Sequence, residues 1–71
     1  PSEDRFVDPD KRFHWRDGEA VFGFGEYRGM SLADVASRYP AYLDWILNKD
    51  FSQETKRIVR DAKRGVFPAR S

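Results

Sequence analysis

Residues 11–24, KRFHWRDGEAVFGF, contain two apolar-rich runs on either side of Asp17-Gly18. Asp-Gly is typical of a two-residue type I′ turn, because both central residues of that turn need a positive φ. With this turn, alternate side chains of the two strands share one apolar face. The shared face comprises Phe13, Trp15, Ala20, Phe22 and Phe24. The sequence therefore predicts an N-terminal β-hairpin that packs one face on a core.

Three helices are predicted after the hairpin and a glycine-rich loop. Ser31 is the N-cap candidate of the first helix, Pro40 ends it and opens the second, and Ser52 caps the third. The third helix is expected to reach Arg64, with Gly65 just beyond its end. The second helix has an apolar stripe that predicts the centre of the core: Tyr39, Tyr42, Leu43, Ile46 and Leu47. The predicted fold class is small α+β, an N-terminal β-hairpin followed by three short helices.

The domain organisation follows from where these patterns begin and end. Residues 1–10, PSEDRFVDPD, have two prolines and no apolar period, so they are interpreted as a linker or arm from a preceding domain. Residues 11–68 are predicted to form a single domain, and residues 69–71 a frayed tail. The chain starts at Pro1 and its sole methionine is Met30, so we expect it to be a piece of a longer protein.

Composition excludes several kinds of site. The 71 residues contain no cysteine and one histidine, which excludes disulfides, thiolate zinc sites and multi-histidine metal clusters. No apolar run of about 18 residues is present, so a membrane partner is not expected. His14 lies in a predicted strand, the serines at helix starts are explained as caps, and the acidic residues are scattered. No catalytic residue, metal site or cofactor is predicted within this chain.

The net charge of +1 conceals an uneven distribution. Residues 1–48 carry −3, whereas residues 49–71 carry +4. At about 100° per residue, the basic side chains of the third helix fall within an arc of about 120°, opposite its apolar residues. They are Lys56, Arg57, Arg60, Lys63 and Arg64. Such a stripe either binds phosphates or is a solvated face that complements the helix dipole.

A second candidate site is the loop GEYRG, residues 25–29. Tyr27 and Arg28 lie between two glycines that allow a phosphate to approach the backbone, and tyrosine can stack on a base. The loop follows a hairpin and lacks the G-K-[ST] sequence, so it does not match a nucleotide-binding motif. A small-molecule ligand is therefore not expected.

Several short motifs run through residues 24–51: F-G before Y-R-G, then L-x-x-V-A, P-x-Y-L-x-W-I-L and D-F. They occur here as Phe24-Gly25, Tyr27-Arg28-Gly29, Leu32, Val35-Ala36, Pro40, Tyr42-Leu43, Trp45-Ile46-Leu47 and Asp50-Phe51. Together they resemble the exodeoxyribonuclease X-like C-terminal domain, which is found appended to DNA polymerase III epsilon-type (DEDD) 3′-5′ exonucleases. The resemblance covers roughly residues 12–67. The chain departs from the family pattern at two positions: Glu26 stands where the family usually has Lys, and Met30 where a basic or small polar residue is common. Both departures reduce the positive potential of the loop.

The resemblance implies an accessory domain of a cytoplasmic bacterial 3′-5′ exonuclease, whose catalytic acids and divalent metal lie in the preceding domain. The expected partners are nucleic acid, with DNA favoured over RNA, and that exonuclease domain. The basic helix and the Tyr27-Arg28 loop would then hold the substrate. The alternative is a protein–protein docking or dimerisation module without nucleic-acid contact, with Trp15, Tyr42, Trp45 or Phe67 exposed.

Overall fold

The computed structural model describes residues 5–69. An antiparallel hairpin of β1 (Phe13–Arg16) and β2 (Glu19–Phe22) precedes three helices. These are α1 (Leu32–Arg38), α2 (Pro40–Leu47) and α3 (Gln53–Lys63). The predicted small α+β fold is confirmed.

The hairpin has the predicted turn and register. Asp17 and Gly18 have φ values of 54° and 81°, as a type I′ turn requires. Phe13 pairs with Phe22, and both side chains are fully buried, whereas Trp15 on the same face is half-buried. The aromatic residues of the hairpin therefore form one wall of the core.

The helices complete the core, with one departure from the prediction. Leu43 and Ile46 of α2 are fully buried, as predicted, and pack with Val59 of α3. Tyr39, predicted to continue the α2 stripe, is instead 40% exposed. It lies at the joint between α1 and α2 with φ −134° and ψ 57°. Because this backbone is not helical, its side chain is not in register with the stripe.

The helix ends form as the sequence predicts. The Ser31 hydroxyl accepts a hydrogen bond from the Asp34 backbone N–H at 3.0 Å, and Ser52 caps α3 in the same way. Gly65 follows the last turn of α3 with a φ of 84°, which suits glycine because it has no Cβ. These caps set the lengths of the helices.

The described part of the arm, residues 5–10, packs against the domain. Asp8 is only 4% exposed, and its carboxylate accepts two backbone N–H groups leading into β1, at 2.9 and 3.0 Å. It also accepts a hydrogen bond from the Thr55 hydroxyl of α3. Asp10 accepts the backbone N–H of Ser52 at 3.0 Å. Two carboxylates thus join the arm to the start of α3. Residues 1–4 of the predicted arm lie outside the described residues.

Both edges of the hairpin have a neighbour. Phe6 forms an isolated bridge with β1, while Ser31 and Ala69 form bridges with β2. Residues 70 and 71 of the predicted tail lie outside the described part of the chain. Because the edges are covered in this way, the two strands offer little backbone for the addition of a partner strand.

Candidate functional site

The basic residues predicted on α3 divide into paired and unpaired groups. The ion pairs are Arg57 with Glu54, Arg57 with Asp61, Lys63 with Asp44, and Arg64 with Asp61. Within residues 5–69, Lys56 and Arg60 form no ion pair. The pair with Asp44 joins α3 to α2, so the basic stripe borders α2. Two of the five cations thus remain uncompensated.

The paired cations of α3 are held only at the surface. The hydrogen bond from Arg57 lowers the pKa of Glu54, and the same bond raises the pKa of Arg57. Both side chains are substantially exposed, and exposed ion pairs are worth about 0–1 kcal/mol. A phosphate can therefore compete for the Arg57 guanidinium at little cost.

The predicted pair Tyr27 and Arg28 have different environments. The Tyr27 ring stacks on Tyr39, with centroids 4.5 Å apart and planes at 16°. Its ring also meets Tyr42 edge to face at 4.7 Å. Burial raises the pKa of both the Tyr27 and Tyr42 hydroxyls. Arg28 is exposed. The loop therefore presents a cation beside a set of packed rings.

A groove of about 510 Å³ opens between this loop and α2. Its lining, which we call the aromatic groove, consists of Gly25, Glu26, Tyr27, Ala41, Tyr42 and Trp45. The Trp45 ring is stacked on Tyr42 at 5.2 Å and 15°, yet 45% of the residue is exposed. A stacked but exposed tryptophan leaves apolar ring surface available to a ligand.

Cations without ion pairs lie near the aromatic groove, one in space and two in sequence only. Arg28 and Arg38 adjoin Tyr27 and Tyr39 in sequence, and the Lys49 ammonium lies 5.4 Å from the centre of the Trp45 ring. In the described part of the chain, none of these three cations forms an ion pair. The Trp45 ring of the groove thus has a cation beside it that is available to an anion.

The sequence indicates Tyr27 and Arg28 as site residues but does not indicate the groove. Tyr39 and Tyr42 both belong to the apolar stripe of α2, whose pattern predicts burial. Trp45 lies outside that stripe. The docking alternative names it among the residues expected to be exposed, and the structure shows that it is. The structure brings the loop and α2 together, whereas the basic residues of α3 lie on a neighbouring helix.

The described residues do not form the acidic clusters typical of nucleases that use two metals. No group of three or more His, Cys, Asp or Glu residues between positions 5 and 69 could hold a metal ion. In the same part of the chain, no helix has both the length and the apolar character needed to cross a membrane.

Comparison with known proteins gives one short likeness. Exodeoxyribonuclease 10 of Escherichia coli strain K12 and that of E. coli O6:H1 strain CFT073 are each 56% identical to the chain over 28 residues. The matched stretch is 39% of this chain but only 13% of each relative. No protein-family model matches the chain, and no solved structure matches it. Over this stretch, the match supports the predicted relation to an exodeoxyribonuclease.

Proposed function

We propose that this chain is a non-catalytic accessory domain that holds nucleic acid for a bacterial 3′-5′ exonuclease in the cytoplasm. The observation that carries this proposal is the aromatic groove, where the exposed Trp45 ring has the Lys49 ammonium beside it and Lys49 forms no ion pair within residues 5–69. Stacking of a base on an aromatic ring contributes about 1–3 kcal/mol, and the cations attract the phosphate backbone. The likeness to exodeoxyribonuclease 10 favours DNA as the ligand.

The basic helix has a supporting role in this proposal. Lys56 and Arg60 are assigned to phosphates directly, because no acidic side chain within residues 5–69 neutralises them. Arg57, Lys63 and Arg64 contribute only after a phosphate replaces their carboxylate partners. Hydrolysis and its divalent metal are assigned to a separate catalytic domain. A tethered binding domain raises the substrate concentration there into the millimolar range.

The test is the affinity of the chain for a fluorescein-labelled single-stranded DNA of about ten nucleotides, measured by anisotropy at low salt. Trp45→Ala should weaken binding at least fivefold, as expected from the loss of one stacked base. Phe67→Ala is the matched control, because Phe67 is a similarly exposed aromatic residue, 38% against 45%, outside the aromatic groove. Equal affinity of the two variants would contradict the proposal.

A docking module is the second candidate, and the C-terminal segment favours it. Val66 and Phe67 are 54% and 38% exposed and border a cavity of about 370 Å³ that Trp15 also lines. Such a patch suits the preceding exonuclease domain or a second copy of the chain. Sedimentation velocity separates the candidates: a dimer that Phe67→Asp dissociates favours docking, whereas a monomer that binds DNA favours the accessory-domain proposal.

A further inference from the structure

We propose that the aromatic groove receives one unpaired base of a single strand and that Glu26 selects guanine by accepting its N–H groups. This inference rests on the proposed function and narrows it in two respects. The ligand is a single strand rather than a duplex, and the site has a preference among bases.

The rings of the groove favour an unpaired base. Trp45 and Tyr42 are nearly parallel, at 15°, whereas the Tyr27 ring is at 85° to Tyr42. The groove therefore has two ring walls at about a right angle. A flat base stacked on one wall turns an edge toward the other. Bases within a duplex are stacked on their neighbours and paired along their edges, so only an unpaired base can enter.

Glu26 is the acidic side chain of the groove lining. It is exposed and forms no ion pair within residues 5–69. The Tyr42 hydroxyl lies directly against Gly25 of the loop, where an added Cβ would overlap it, so this part of the loop is packed on α2. A carboxylate here repels phosphate, so it is suited to the other polar part of a nucleotide, the N–H donors of the base.

Guanine has the donor pattern that a carboxylate binds best. Its N1–H and N2–H groups lie side by side and can donate to the two carboxylate oxygens, in the bidentate manner that arginine also uses. Thymine has one N–H between two carbonyl oxygens, and those oxygens repel a carboxylate. The expected order places guanine first and thymine last.

The surrounding charge argues against a cationic ligand. Rings with a nearby carboxylate also bind quaternary ammonium groups. Here, however, the Lys49 ammonium lies 5.4 Å from the centre of the Trp45 ring and forms no ion pair among the described residues, and the exposed Arg28 follows Tyr27 in the loop. A cation at the Trp45 ring and a second one in the loop favour an anionic chain that carries a neutral base.

The experiment compares two labelled decamers, all thymidine and thymidine with one central guanosine, by anisotropy at low salt. The single guanosine should strengthen binding about tenfold, the range of one good bidentate contact. Glu26→Gln should reduce that preference below about threefold and should strengthen the binding of the all-thymidine strand, because the carboxylate that repels phosphate and the thymine oxygens is removed. Glu19→Gln is the control, since it removes the same charge from an exposed site on β2.

The outcomes separate this inference from the proposed function. Equal binding of the two decamers overturns guanine selection but leaves the accessory-domain proposal intact. Binding of neither decamer overturns both. A preference that survives Glu26→Gln, or that Glu19→Gln removes equally, overturns the role of Glu26. Shifts of the Trp45 indole resonance with tetramethylammonium but not with guanosine monophosphate overturn the choice of ligand.

Discussion

Asp8 is a buried carboxylate whose partners come from distant parts of the chain. It accepts two backbone N–H groups near β1 and the Thr55 hydroxyl, 47 residues away. Asp8→Ala leaves the two N–H groups without an acceptor and leaves the Thr55 hydroxyl only its 3.3 Å contact with Asp10. Each unsatisfied buried group costs about 1–3 kcal/mol. We expect the free energy of unfolding, measured in urea, to fall by about 2–4 kcal/mol.

Asp44→Ala is the matched control for Asp8→Ala. Its carboxylate is 56% exposed and pairs with Lys63 at the surface, so its removal should cost about 0–1 kcal/mol. A similar loss in the two variants would show that the arm does not stabilise the domain through Asp8.

Asp10 makes stability depend on pH. The Ser52 backbone N–H holds the pKa of the Asp10 carboxyl below its ordinary value of 3.8. A lowered pKa in the folded state means that the stabilisation is present above pH 3.8 and is lost as the pH falls through the folded pKa. Glu54, whose pKa the hydrogen bond from Arg57 lowers, acts in the same direction.

The prediction for Asp10 is a change in the slope of stability against pH. The free energy of unfolding should decrease from about pH 5 to about pH 2, and Asp10→Asn should flatten part of this decrease. Asp50→Asn is the control, because Asp50 is an exposed residue of the loop between α2 and α3. Urea midpoints at several pH values measure the effect, and identical curves for the two variants would refute it.

At the scale of elements, the loop after β2 is shaped by two glycines with positive φ. Gly25 and Gly29 have φ values of 75° and 90°. An alanine at either position costs about 1–2 kcal/mol in backbone strain. At Gly25 the new Cβ would also overlap the Tyr42 hydroxyl, whereas at Gly29 nothing lies within 4 Å. Tyr42 is packed against Tyr27 and Trp45, so it cannot move freely.

Gly25→Ala should therefore destabilise the domain more than Gly29→Ala, by a further 1–3 kcal/mol or so from overpacking. Thermal or urea unfolding of the two variants measures the difference. Equal losses of unfolding free energy in the two variants would mean that the Tyr42 side chain moves aside without destabilising the domain. The loop and α2 would then not be rigidly joined at the groove.

The elements that the sequence predicts are those built from local chemistry. Asp17-Gly18 determines the hairpin register, and Ser31 and Ser52 determine helix starts, because each acts within about four residues. The exposed position of Tyr39 was not predictable in this way, since it depends on the joint between two helices. The candidate site divides similarly: a local loop motif indicated Tyr27 and Arg28, but their ring partners come from α2.

At the scale of the whole molecule, ion pairs decide which cations are available. The angular positions of the five basic residues around α3 make them look equivalent. The ion pair of Lys63 with Asp44, however, forms only when α2 and α3 pack together. Lys56 and Arg60 are left without ion pairs in the described structure. Their contribution to DNA binding should therefore exceed that of the paired residues.

The salt dependence of DNA affinity tests this difference. Each phosphate contact with a single strand adds about 0.7 to the slope of log K against log salt concentration. The double variant Lys56→Ala, Arg60→Ala should lower the slope by about 1.4. Arg57→Ala with Arg64→Ala should lower it less, because those cations are already paired. The opposite ranking would contradict the assignment of Lys56 and Arg60 to phosphates.

The most direct measurement of nucleic-acid binding at the aromatic groove is a titration of the ¹⁵N-labelled chain with single-stranded DNA, followed by NMR. At about 50 mM salt, resonances of Gly25, Arg28 and the Trp45 indole should shift, and the shifts should fade toward about 200 mM. Resonances of Val66 and Phe67 should stay in place. No shift around the groove at 50 mM, or shifts confined to Val66 and Phe67, would contradict the account.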